Sequence, residues 1–165
     1  MREFLIEIFG NFSRVIIFLH IASAVLLVGG MFVFRLVVDP AMRIIEDEKA
    51  RYESYIKMIG RFFIFLVPVM FILVSASVFM NVGLGFRYGD PTTFVMIHTK
   101  EAIWSFIAFN FIYMYIKYVK AKNALAKNDY LVVDENIILM THYLIPLNTV
   151  LGFIAIYLGI VVRGY

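Results

Sequence analysis

Cysteine is absent from the chain, and its absence removes three kinds of chemistry at once: disulfides, thiolate metal sites and covalent c-type haem attachment. Histidine, methionine and carboxylates are left as the available ligands. Charge is also scarce, at 16% of 165 residues, against 62% hydrophobic and 17% aromatic side chains. So many apolar groups exceed any core that a soluble domain of this length encloses. The expected fold is therefore all-α, an integral membrane four-helix bundle in a single transmembrane domain over residues 1–165. No basic n-region with a small-residue cleavage site precedes the first apolar run, so that run itself serves as the insertion signal.

Spanning ~30 Å of hydrocarbon takes about 20 apolar residues at helical rise. Four windows qualify, at about 13–38, 61–86, 93–120 and 136–162, leaving loops at 39–60 and 121–135. Arg43, Lys49, Arg51, Lys57, Arg61, Lys117, Lys120, Lys122 and Lys127 flank those two loops. Only Arg2, Arg14, Arg87 and Arg163 belong to the other side. The positive-inside bias then sets the loops in the cytoplasm and both termini outside the cell (inner) membrane, with a multi-pass topology in the lipid bilayer. Nothing in the pattern calls for a nucleic-acid partner.

Within the spans, apolar spacing predicts a short interfacial helix over 1–12. His20 shares its face with Ser23, Ala24, Leu27, Met31 and Arg35. Asp39-Pro40 ends the first span, and residues 41–60 read as a solvated amphipathic helix with no assigned chemistry. Pro68 is expected to kink the second span. In the third span, His98, Glu101, Ala102, Ser105 and Phe109 fall on one face, with Lys100 turned roughly the other way. The fourth places His142, Pro146, Thr149 and Phe153 together.

Ionisable groups at membrane depth are costly and by default mark a function, which singles out Ile97-His98-Thr99-Lys100-Glu101 and His20. His20 and Pro68 are 48 positions apart, as are His98 and Pro146, so a shift of 78 maps one hairpin onto the other as parallel repeats. Both His20 and His98 lie ~8–11 Å into helices that start on the same side. His142 starts from the opposite side and stands apart.

Two imidazoles at one depth, flanked by small residues, suit the axial positions of a b-type haem iron, and Arg14, Arg87, Lys100 and Arg163 suit its propionates. Three alternatives stay open. In the first the histidines simply hydrogen-bond between helices; in the second Met96, His98, His20 and Met31 offer a copper set; and in the third Glu101, His98 and Lys100 form a cofactor-free proton relay.

Leu19-His20 with Gly30 and Arg35-Leu36, then the charged segment before Arg61 and Pro68, then His98-Thr99-Lys100, together resemble the HemJ-like and CopD-like membrane proteins. The likeness covers most of the chain in layout. It departs in the last helix, where Tyr143-Leu144-Ile145 precedes Pro146 in place of the family's asparagine-glutamate pair, and at Arg163-Gly164 in place of lysine-proline. The HemJ resemblance implies a haem b membrane oxidoreductase that oxidises protoporphyrinogen IX and passes electrons to a membrane quinone. In it His20 and His98 bind iron, Lys100 contacts substrate or a propionate, and Glu101 accepts a proton. The CopD resemblance implies copper uptake. A non-catalytic haem carrier or electron relay, and assembly as a homo-oligomer, complete the expectations.

Overall fold

The computed structural model describes residues 2–85 and 91–162. It is an all-α four-helix bundle, whose helices Arg2–Arg43, Glu48–Gly83, Pro91–Ala126 and Tyr130–Val162 are each long and apolar enough to cross a membrane. The first comprises α1 (Arg2–Val33), a π-turn (Phe34–Val38) and α2 (Asp39–Arg43). The second and third are α3 (Glu48–Gly83) and α4 (Pro91–Ala126). The fourth comprises α5 (Tyr130–Ile138), a second π-turn (Leu139–Leu144) and α6 (Ile145–Val162).

Two sequence expectations about the ends of these helices need correction. The stretches 39–60 and 121–135 are not loops, and 41–60 is not a helix of its own. The connections contract to 44–47 and 127–129. Asp47 caps α3 by accepting from the Ala50 N–H at 2.6 Å, and Asp129 caps α5 by accepting from the Val132 N–H at 3.3 Å. Asn128 takes the left-handed conformation (φ 56°) that an Asx side chain tolerates. Extension is favoured because Tyr52, Tyr55 and Ile59 on one helix and Val133, Ile137 and Met140 on another bury into the same core. At the other end, non-helical torsions at Phe12 (φ −122°, ψ 20°) separate the first turns of α1 from the rest, in line with the short helix expected there. Phe9 of that segment packs flat on Gly83, where a Cβ would stand 2.2 Å from its ring.

The prolines act differently from one another. Helix α3 runs unbroken through the exposed Pro68. Pro40 and Pro146 each stand two residues after the end of a π-turn. A proline ring clashes with the carbonyl four residues back, and one extra residue in the preceding turn relieves that clash. These two π-turns lie against each other at the end carrying both short connections, called here the basic end.

The core is narrow. Leu27, Met31, Leu66, Leu73, Ile107 and Met114 are almost wholly enclosed, while Phe18, Ile64, Phe71 and Phe109 are exposed, the distribution that a hydrocarbon solvent allows. Aromatic packing locks α3 to α4: Phe111 stacks on Phe62 (6.3 Å between centroids, 8° between planes) and meets Phe63 edge-on at 6.2 Å.

Candidate functional site

At the end opposite the connections, His20 faces inward as expected, with Ser23, Ala24, Leu27 and Met31 buried below it. Its Nδ1 lies 3.1 Å from Ser77 Oγ, and that hydroxyl gives its single proton to the Leu73 carbonyl at 2.9 Å. Ser77 must therefore accept, so His20 donates from Nδ1, and the neutral ring keeps its lone pair on Nε2. A serine holding one ring nitrogen so that the other is available is how a ligating or basic imidazole is oriented.

The third helix differs from expectation. His98, Ala102, Ser105 and Phe109 lie on the exposed face, and the side turned into the bundle carries Ile97, Lys100, Trp104, Ile107, Phe111 and Met114. His98 donates from Nδ1 to its own helix at the Phe94 carbonyl (3.1 Å) and stacks on the Phe94 ring at 4.0 Å between centroids. The two imidazoles thus do not share a cavity. Lys100 takes the inward position instead, where its charge acts on the His20 ring. A Cβ added to Gly159 of the fourth helix would stand 3.1 Å from Lys100 Nζ. Glu101 accepts from Asn81 Nδ2 at 3.0 Å, which ties the third helix to the second at the same level. One layer therefore holds an imidazole, an ammonium, a carboxylate and an amide.

Of the other expected contacts, Arg14 is exposed, and Arg87 and Arg163 lie outside the described residues. The matched histidines and prolines of the two hairpins occupy unlike surroundings: His20 faces inward and His98 outward, and only Pro146 follows a π-turn. A copper set does not assemble either. Met31 is fully buried, ~16 Å along the helix from His20, while His98 is exposed. Among the described residues no three His, Asp or Glu side chains are placed to share a metal ion.

A second polar layer occupies mid-bundle, where Asn110 donates to Asn148 Oδ1 at 2.9 Å and Asn148 donates to Met114 Sδ at 3.7 Å. A third was missed from sequence and lies at the basic end. There Asp39, 1% exposed, accepts from Tyr55 Oη at 2.8 Å on Oδ1, and its Oδ2 pairs with Arg35, with Arg43 Nε at 3.5 Å and with His142 Nε2 at 3.4 Å. The readable signal was Arg35 and Arg43 at four residues either side of Asp39, a spacing that brings all three onto one helix face. His142 and Tyr55 come from distant parts of the chain, and no local pattern announces them.

A b-type haem held by both His20 and His98 of one chain does not fit this arrangement, because the second imidazole points away from the first. The groups that do converge are the His20 imidazole, the Lys100 ammonium and the Glu101 carboxylate with its Asn81 partner. No family model, curated protein or solved structure matches the chain.

Proposed function

We propose that the chain is a HemJ-like membrane protein that handles a carboxylate-bearing tetrapyrrole at the His20–Lys100–Glu101 layer, oxidising protoporphyrinogen IX with a membrane quinone as electron acceptor. The observation that supports it is the inward Lys100 ammonium, poised beside an oriented imidazole at membrane depth. An ammonium so placed attracts a carboxylate more strongly than it would in water.

In this reading Lys100, whose ammonium packs against the bare backbone of Gly159, holds a propionate. His20 Nε2 carries the lone pair and takes a proton from the ring being oxidised, and Ser77 stabilises the imidazolium through the Nδ1–H bond. Glu101, held by Asn81, is the second proton acceptor. Each dehydrogenation releases two protons and one electron pair; the pair goes to a quinone, which takes up two protons to become the quinol, and three such rounds with three quinones complete the six-electron oxidation. Both termini lie outside the cytoplasm in this assignment, and the site opens toward that side of the inner membrane.

The test is titration of detergent-purified protein with protoporphyrin IX and with haem, followed by its absorption spectrum. Binding is expected. Lys100→Met should weaken it roughly ten- to a hundredfold, the worth of one charge-assisted hydrogen bond. His98→Ala should leave it unchanged, and His20→Ala should abolish the proton-dependent step of porphyrinogen oxidation. Absence of tetrapyrrole binding, or equal loss in His98→Ala, overturns the assignment, and stoichiometric copper in a colourless preparation would favour the CopD-like reading. Binding without oxidation would leave a carrier.

A further inference from the structure

The Asp39 layer has no part in the chemistry above, and its geometry contains a conflict that one proton resolves. His142 Nε2 contacts two groups of opposite demand. Arg43 Nη2 can only donate to it, so that contact requires the lone pair on Nε2. Asp39 Oδ2, at 3.4 Å, can only accept, so that contact requires a proton on Nε2. One nitrogen cannot satisfy both.

We propose that this layer is a proton-operated latch between the first and fourth helices: a proton taken from the basic end by His142 exchanges its bond with Arg43 for one with Asp39, and Arg43 swings out toward water. With neutral His142 the guanidinium charges of Arg35 and Arg43 are both held on the Asp39 carboxylate. Protonation adds a third cation, and something must yield. Arg43 yields because its side chain is the more exposed, at 49% against 33% for Arg35, and because a guanidinium cannot donate to a protonated nitrogen. Asp39 cannot follow it, since Tyr55 Oη holds both its Oδ1 and its main-chain carbonyl, the latter at 3.1 Å.

The groups facing His142 are therefore Arg35, Asp39 and Arg43 on the first helix, Tyr55 on the second, and Asp134 of α5 on its own, whose charge also acts on the ring. The two groups that the proton joins sit on irregular backbone. Both Asp39 and His142 sit at the paired π-turns, where helices commonly carry function, and the adjacent Thr141 Oγ1 is buried without a hydrogen-bond partner.

The experiment is nitrogen NMR of ¹⁵N-histidine-labelled full-length protein in detergent, from about pH 4 to pH 8, with the His142 signals assigned by His142→Gln. At the upper end His142 is expected as the Nδ1–H tautomer, passing to imidazolium as the pH falls. Arg43→Met removes the donor from a half-exposed position and should switch neutral His142 to the Nε2–H tautomer, now donating to Asp39. Arg43→Lys should keep the wild-type tautomer. A wild-type Nε2–H tautomer, no titration across the window, or no tautomer change in Arg43→Met would each overturn the latch.

Discussion

Single side chains carry unequal weight here because lipid cannot supply what a lost partner withdraws. Asp39 is the extreme case: its carboxylate is buried among Tyr55, Arg35, Arg43 and His142. Asp39→Ala leaves those partners facing one another, and a loss of about 3–5 kcal/mol is expected from breaking a buried ionic network. Tyr55→Phe should cost less, about 1–3 kcal/mol, since only one acceptor of the carboxylate loses its donor. Unfolding of each variant by titration with a denaturing detergent measures the difference, and an equal effect of the two would show that the charge itself is unimportant. Glycine 152 tests packing in the same way. A Cβ there would stand 2.5 Å from Val28 Cγ2, so Gly152→Ala should destabilise the first-to-fourth helix contact by about 1–3 kcal/mol, whereas Gly29→Ala, with open space around it, should not.

Elements are joined by a few polar contacts in a largely apolar bundle. The Asn110–Asn148 bond links α4 to α6 at mid-depth, with Asn148 fully enclosed. Asn148→Leu should weaken the bundle by about 0.6 to 1.7 kcal/mol, the range measured for hydrogen bonds between membrane helices. The π-turns set which residues face which. Pro146→Ala removes the clash that the second π-turn relieves, and reversion to regular helix would rotate residues before it by about one residue's turn, ~100°. His142 would then leave Asp39. Because the chain has no cysteine, paired cysteines placed at 43 and 142 should be bridged by a bifunctional maleimide, which reaches as far as the arginine and histidine side chains they replace, in a wild-type background and not in Pro146→Ala.

For the whole molecule, both short connections, 44–47 and 127–129, lie at one end, and the Phe12 bend and the start of α4 lie at the other. The basic excess around the connections predicts that single cysteines at 46 and 128 react with an impermeant maleimide only after the membrane is opened, while one at 11 reacts in intact cells. Labelling in the reverse sense would invert the topology and put the His20–Lys100 layer on the cytoplasmic side. The fold itself would not change, since a bundle that hides few of its large apolar side chains and exposes Phe18, Ile64, Phe71 and Phe109 needs lipid whichever way it is inserted.

How much of this was legible depends on the kind of signal. Four long apolar runs dictate spanning helices, because unpaired backbone polar groups cannot persist in hydrocarbon and a helix satisfies them locally. The inward face of the first helix was legible too, since small residues beside His20 mark where helices approach. The third helix offered no such guide: it is apolar on every side, so no local signal told against the expectation that put His98 inside and Lys100 outside. Tertiary packing decided otherwise, as Phe111, stacked on Phe62 and edge-on to Phe63, fixes the rotation of α4 and carries Lys100 in and His98 out. The Asp39 layer likewise depends on Arg43 and His142, 99 positions apart, meeting where two π-turns cross. Local hydrogen bonding is written along the chain, but rotation about a helix axis is settled only by what the neighbouring helix presents.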